Sequence, residues 1–410
     1  MTLTHTAQQE LQTVDAAQRQ LLERAAPLGA ESVGLDRALR RILAEAVEAA
    51  WDMPRFDNSA MDGYAVRAAD VAAATGTTPV SLRIGGYAQA GAVAPALPRA
   101  SAVRIMTGAP MPSGADTVVK QEDTERTGDT VHIKVAEPTG SNVRGRGDDM
   151  EAGTVALTPG NDITSIDIGV AAALGRDRLT VGRRPVVGVF ATGDELVAVG
   201  QRPRTAQVVD SNTPMLLAAV SEAGGVPRFL GVAGDTRDSV RDVITSAAGC
   251  AVIVSSAGVS VGDHDHVGDV VAELGDIDTW RVALRPGKPL LIGRVSGALF
   301  LGLPGNPVSS AVTFELFVRP VIRKLQGALE PLRSRVQVRL GETMKKPAAL
   351  ETYTRAVLRP VNGDLPVAMS AGNQGSAMLH TLAAAGCLLV LPAGSESVPA
   401  GAVVEAIPLR

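Results

Sequence analysis

Short valine-rich runs that stop at small polar turns recur through the middle of this 410-residue chain. In PVVGVFATGDELVAVG (185–200), the run Val186 to Phe190 ends at Thr192-Gly193-Asp194-Glu195. An apolar run meeting a Gly-containing turn predicts a buried parallel strand emptying into a loop. The same pattern predicts strands at 186–191, 229–233, 251–255, 277–284, and at 289–294 or 298–303. Helical spacing between them predicts helices at 213–223, 236–248, 266–274 and 308–325. Such alternation implies a largely parallel sheet with helices on both faces. Carboxylates after its strands face the crevice where open α/β sheets bind ligands.

Upstream, residues 7–25 have helical spacing, with Leu11, Val14, Leu21, Leu22 and Ala25 on one side. A second amphipathic helix is expected over 35–49, with Leu39, Ile42, Leu43, Ala46 and Val47 as its stripe. Helical character stops at Trp51-Asp52-Met53-Pro54, and residues 54–160 read as short β modules with polar loops. A further helix starts near Thr164, with Asp167 in capping-box position, and ends near Gly175. Two helical pieces around a β-rich stretch suggest one domain interrupted by another. Residues 329–410 return to short Val/Leu runs between Pro and Gly turns, a small β domain.

Composition narrows the function. Hydrophobic residues make up 45% of the chain, enough for real cores, but only 3% are aromatic, which disfavours base-stacking platforms. The 39 basic and 43 acidic residues leave a net charge of -4, with no basic footprint for nucleic acid. Cys250 and Cys387 are too few for a disulfide framework or a thiolate metal cage. MTLTHTAQQE does not read as a signal peptide, and no apolar run reaches the roughly 20 residues a membrane helix needs. The expectation is a soluble cytoplasmic protein with small-molecule partners, not nucleic acid or membrane.

Candidate chemistry gathers where strands end. Asp194 and Glu195 follow the first, Asp210-Ser211-Asn212 precede a helix, and Asp235 follows FLGVAG. AGVSVGDHD (257–265) is a Gly-containing loop running into a helix, which offers backbone N–H groups to a phosphate. RVALRPGKP adds Arg281, Arg285 and Lys288, and LGLPGNPVSS puts Pro304, Gly305, Asn306 and Pro307 at another strand-to-helix turn. Cations beside Gly turns suit oxyanions, and nearby carboxylates suit Mg²⁺. A single strand-end Asp is more commonly a helix cap or a solvated loop, and neither GxGxxG after the first strand nor GxxxxGK[ST] occurs. His264 and His266 at a helix start do not share a face, so Asp263 and Asp265 are the useful members there. Three loops of the β-rich region are equally polar: PRFDNSAMDGYAVR, RIMTGAPMPSGAD and GSNVRGRGDDM. Ordinary turns, and a solvated salt-bridged loop for Arg144, Arg146, Asp148 and Asp149, are the plainer account of them.

Together these segments resemble the molybdopterin molybdenumtransferase family, MoeA and the E domain of gephyrin. The stretches that carry the resemblance are FDNSAMDGYAVR, RIMTGAPMPSGAD, RGRGDDM, VFATGDEL, SSAGVSVGDHD, LRPGKP, GLPGNPVS and GNQGS, in the family's order. The resemblance implies a multidomain α/β and β protein. Its N-terminal MoeA-type region would span 1–180, helical over 1–50 and 150–180 around a β-rich insert at about 51–149. A three-layer α/β/α domain of the MogA and MoaB type would span 181–328, and a small β-barrel-like domain 329–410.

The resemblance also implies a reaction: molybdate enters the dithiolene of adenylylated molybdopterin, with hydrolysis that releases AMP. Carried over by motif, Asp62, Thr107, Glu195, Asp235 and Asp265 are the catalytic positions. Glu195, Asp235 and Asp265 would hold Mg²⁺ or its waters. Asp149, Ser255, Gly258, Ser260, Gly262, Arg281, Arg285, Lys288, Pro304, Pro307, Arg355 and Ser376 are the substrate-binding positions. Within these, Lys288 and the Gly258–Gly262 loop would hold phosphate, and Asp62 would position substrate or water. A homodimer is implied, with the insert of one subunit against the α/β domain of the other, as is contact with the molybdopterin adenylyltransferase. Ala257 stands where the family often has Gly, and Arg281 and Arg285 where Lys is common. Two other readings are adenylylation of molybdopterin, the preceding step, and a gephyrin-like scaffold.

Overall fold

The computed structural model describes residues 11–258 and 266–409. The chain divides into two compact units. One comprises Ala46–Thr158 and Gly169–Asp177, and the other comprises Met1–Glu45, Pro159–Ile168 and Arg178–Arg410.

The first of these units is built on a six-stranded sheet. Its order is Thr117–Lys120, Gly63–Val66, Ser101–Ile105, Val80–Ala88, Thr130–Ile133, Thr124–Thr127. Side chains of a strand alternate between faces, and here both faces are covered. Tyr64, Val66 and Val119 pack on one side with Val131 and Ile133, while Ala65, Val103 and Val118 pack on the other with Ile105 and Ala109. Two short ladders hold the loops: Asn58–Ser59 pairs with Val143–Arg144, and Val47–Glu48 with Val155–Leu157.

The larger unit begins with helix α1 (Val14–Glu23), capped by the Thr13 hydroxyl. The helix expected over 35–49 does not form. A single 3-10 turn at Leu35–Arg37 is followed by extended chain. Arg40 takes a left-handed φ of 60°, which ends any helix, and the buried Arg41 donates to the Gly182 carbonyl and to Glu31. Ile42 and Leu43 bury themselves through bridges to Asp162 and Val181. Helix α2 (Ser165–Ala173) starts as expected, with Thr164 and Asp167 exchanging the reciprocal bonds of a capping box.

The central sheet contains β1 (Val186–Thr192), β2 (Val226–Ala233), β3 (Val252–Ser256), β4 (Gly275–Arg281), β5 (Pro289–Val295) and β6 (Ala298–Leu303), in the order β2-β1-β3-β6-β5-β4. The first four of that order run parallel, and β5 and β4 are antiparallel additions. The two alternatives at 289–294 and 298–303 are therefore both strands. Ser296 and Gly297, both with positive φ, join them in a two-residue turn that only antiparallel neighbours accept. Helices α3 (Asn212–Glu222), α4 (Arg237–Thr245), α5 (His266–Leu274) and α6 (Pro307–Thr313) complete three layers. Val187, Val189, Val252, Val254 and Leu301 face Leu216, Val220 and Val308 in one core. Phe190, Ile253 and Phe300 face Ile244 and Val270 in the other. Each fully buried Val or Leu contributes about 1.5–3 kcal/mol over its exposed state.

Beyond α6 lie β7 (Val336–Leu340), β8 (Glu351–Arg359), β9 (Val367–Ser370), β10 (Cys387–Leu391) and β11 (Val403–Pro408). They close into a barrel in the order β8-β9-β7-β11-β10, with β10 pairing back to β8. Alternate residues fill its interior, among them Val338, Ala356, Leu389 and Ala406. Tyr353, Leu388, Val390 and Ile407 instead join the core beneath the central sheet.

Candidate active site

A cavity of about 640 Å³ lies within the larger unit, where the central sheet meets the barrel. Its wall is made by Ala257 and Gly258 after β3, residues 284–289 before β5, Pro304–Asn306 after β6, Ser309 of α6, and Leu350 with Gln374–Ser376 from the barrel side. The sheet supplies three of these loops because β3, β6 and the segment before β5 all open onto the same place. Among the described residues, Arg285 and Lys288 are the charged side chains of the wall, and no Asp or Glu lines it. Neither cation is ion-paired within the described residues. Gly287 has a φ of 105°, and a Cβ there would stand 2.5 Å from Thr313 Cγ2, so the loop needs glycine at that point. The Pro304-Gly305-Asn306-Pro307 turn enters α6 with Pro307 at its first position, where a missing N–H costs nothing.

The barrel side of the cavity is held from behind. Arg355, fully buried on β8, donates to the carbonyls of Asn373 (2.8 Å) and Gly375 (3.1 Å). Gln374 closes the clasp by exchanging bonds with the Arg355 backbone. Burial pulls the Arg355 pKa below its ordinary value. The loop is tied to α6 as well, through Val308 N–H to Ser376 O at 3.0 Å. Of the sequence-predicted binding residues, Gly258, Arg285, Lys288, Pro304 and Ser376 thus share one wall. Ser255 is buried at the end of β3, its hydroxyl without a partner among the described residues. Arg281 ends β4, outside the lining. Ser260, Gly262 and Asp265 lie outside the described residues.

The strand-end acids follow β1 and β2 in the loops at their carboxyl ends. Asp194 N–H donates to Asp235 Oδ2 (3.3 Å), and Asp235 N–H donates to Asp194 Oδ1 (3.2 Å), so each carboxylate caps the other's loop. Glu195 follows directly and curls back over Gly193. Among the described residues no group of three or more His, Cys, Asp or Glu is placed to hold a metal ion. The donors are nonetheless hard oxygens, and Mg²⁺ is commonly held by one or two carboxylates together with substrate phosphates. Asp194 and Asp235 fit that mode. Asp194 was visible after β1 but is absent from the expected ligand set.

In the smaller unit, Asp62 Oδ1 accepts both the backbone N–H (2.7 Å) and the hydroxyl (2.8 Å) of Thr107. These two bonds hold the Asp62 carboxyl below the usual carboxylate range. The arginine loop is internally tied: Arg146 pairs with Asp52 and its N–H donates to Asp57, while Asp148 accepts from Gly145 N–H. Asp149 is exposed there, its backbone bonded to Met53 O at 2.9 Å. The Ala152 N–H and Arg146 keep the Asp52 carboxyl low as well.

Leu350 and Asn306 are wall residues absent from the expected set. Asn306 lies inside the GLPGNPVS stretch, whereas no signal marked Leu350, which reaches the cavity from the turn before β8.

The comparisons with known proteins cover the same ground. Residues 12–175 match the MoeA N-terminal region (domain I and II). Residues 188–324 match a probable molybdopterin binding domain, and 337–409 match the MoeA C-terminal region (domain IV). The molybdopterin molybdenumtransferase of Nostoc sp. is 40% identical over 90% of this chain and 87% of its own length. That of Haemophilus influenzae is 34% identical over 97% and 98%. The crystal structure of the molybdopterin biosynthesis moeA protein from Pyrococcus horikoshii OT3 superposes with a TM-score of 0.84 at 26% identity, over 97% of this chain and 100% of that one. With all three family regions matched in order, the chain belongs to the molybdopterin molybdenumtransferase (MoeA) family.

Proposed function

We propose that this protein is a molybdenum cofactor biosynthetic enzyme that inserts molybdate into adenylylated molybdopterin and releases AMP. The observation that carries the reading is the cavity: about 640 Å³, lined among the described residues by Arg285, Lys288 and glycine turns. That volume suits a small-molecule ligand, and cations beside open backbone favour one bearing phosphate or oxyanion groups. Lys288 and Arg285 hold the anionic groups, Arg as a planar fork and Lys as a point charge. Arg355 fixes the 373–376 loop that closes the barrel side. Asp62, ionised and braced by Thr107, positions substrate or water. Ligand exchange at molybdenum needs no protein nucleophile, in keeping with only two cysteines in the chain, both buried.

Asp235, with Asp194 and Glu195, would hold Mg²⁺, which supplies charge neutralisation on a phosphate when bound. The relatives' names support molybdate and molybdopterin as substrates. We place the enzyme in the cytoplasm as a homodimer, in contact with the adenylyltransferase that makes its substrate. Among the described residues no helix is long and apolar enough to cross a membrane.

The test is incubation with purified adenylylated molybdopterin and molybdate. Consumption of the substrate with AMP release in step with molybdenum incorporation is expected. AMP-free molybdopterin adenylylated only when ATP is supplied would make this the preceding enzyme. No reaction in either assay would leave the scaffold reading.

A further inference from the structure

We propose that Asn212 is a positioning residue: its carboxamide sets the separation of the two sheet loops that form one wall of the cavity. The inference rests on the reading of that cavity as the substrate site. Asn212 opens α3 and is 9% exposed. Its Nδ2 donates both hydrogens, one to Ser256 Oγ (2.8 Å) and one to the Gly305 carbonyl (2.7 Å). Ser256 ends β3 and leads directly into Ala257 and Gly258, while Gly305 follows β6 by two residues. Ala257, Gly258, Gly305 and Asn306 all line the cavity. One amide therefore bridges two strand ends far apart in sequence. The β3–β6 ladder runs to Ser256 opposite Leu303, and the bond from Ala257 N–H to Leu303 O (3.0 Å) is its last backbone tie; beyond it the amide joins the two loops.

The orientation of the amide is dictated by its neighbours. The Gly305 carbonyl can only accept, so the NH₂ end must face it. The opposite end, Oδ1, is then buried without a partner among the described residues. Folds seldom leave a buried acceptor unmatched, and an apolar residue would avoid the penalty. What the amide provides in return is two simultaneous donors at a point where, among the described residues, no other side chain is hydrogen-bonded to both loops. Gly305 and Asn306 both line the cavity, and their N–H groups have no acceptor among the described residues.

The test compares Asn212→Ala, Asn212→Asp and Val220→Ala. Val220 is buried on the same helix and belongs to its core, away from both loops. Asn212→Asp keeps the shape but sets a carboxylate oxygen against the Gly305 carbonyl, so it should be the worse of the two. Both Asn212 variants should raise KM for adenylylated molybdopterin at least fivefold, with kcat changed less than threefold. Amide hydrogen exchange at Ala257 should quicken in both. Val220→Ala should lower the melting temperature without either change. The proposal is overturned if the Asn212 variants keep wild-type KM and exchange, or if Val220→Ala moves both equally. If the wild-type protein consumes no adenylylated molybdopterin, the functional reading fails, and the exchange comparison alone decides whether Asn212 ties the loops.

Discussion

Replacing Ala257 by Gly should make the protein more stable, and the reason lies in two atoms. Ala257 has a φ of 78°, in the left-handed region, although it bears a side chain. An L-residue there costs roughly 1–2 kcal/mol relative to right-handed backbone. Glycine removes that strain but adds freedom to the unfolded chain, which offsets about 0.4–1 kcal/mol. The net expectation is a gain of about 0.5–1 kcal/mol, or a rise of roughly 1–4 °C in the melting transition of a domain this size. The second atom sits opposite. A Cβ built on Gly305 would lie 3.2 Å from the Ala257 Cβ, closer than methyl groups ordinarily pack. Gly305→Ala should therefore cost about 1 kcal/mol in the wild-type background through overpacking. In the Ala257→Gly background the obstructing methyl is gone, and the same change should be neutral or slightly stabilising. Differential scanning calorimetry on the four proteins gives the coupling directly. A drop in the transition for Ala257→Gly would refute the strain argument. Additivity within about 0.3 kcal/mol would refute the contact.

Four further outcomes are expected. Lys288→Ala should weaken AMP binding roughly tenfold by isothermal titration calorimetry, the loss of one charge-assisted contact of about 1.5 kcal/mol; unchanged affinity would remove Lys288 from the anion site. Asp62→Asn should abolish AMP release at a near-normal melting temperature, because an amide oxygen still accepts the Thr107 bonds; a large stability loss with no catalytic defect would favour a purely structural role. Since the folded Asp62 pKa is depressed, its contribution to stability is present above the unfolded value of about 3.9 and is lost as pH falls through the lower folded value. Thr107→Ala removes one of the two bonds and should move the Asp62 midpoint upward in an NMR titration, while an unmoved midpoint would show the hydroxyl to be irrelevant. Asp235→Asn should depress AMP release with partial recovery at raised Mg²⁺, and wild-type activity at low Mg²⁺ would end the metal role.

Where partners are close in sequence, the pattern alone predicted the structure. Thr164 and Asp167 are three residues apart, and the capping box forms as expected. The run at 186–190 is β1 because a strand buried on both faces needs an unbroken apolar sequence. The same reasoning failed at 35–49, where the stripe of Leu39, Ile42, Leu43 and Val47 is apolar for another reason. Ile42 and Leu43 are paired with residues more than 100 positions away, and Arg41 is anchored on Gly182. No local period encodes such partners. The site divides in the same way. Arg285, Lys288 and Pro304 announced themselves as cations and prolines at strand ends. Leu350 is an ordinary residue brought to the cavity by the turn before β8.

The two-residue strand Leu284–Arg285 pairs in parallel with Glu351–Thr352 at the start of β8. Through it the segment bearing Arg285 is hydrogen-bonded to the barrel, and Tyr353, Leu388, Val390 and Ile407 share their core with Val187 and Leu301. The barrel is therefore not an interchangeable module. A chimera that took its last eighty or so residues from a distant relative would inherit a mismatched ladder, a mismatched core and one foreign wall of the cavity. Recombination between such enzymes should succeed only when the 284–288 segment, the core beneath it and the barrel travel as one block.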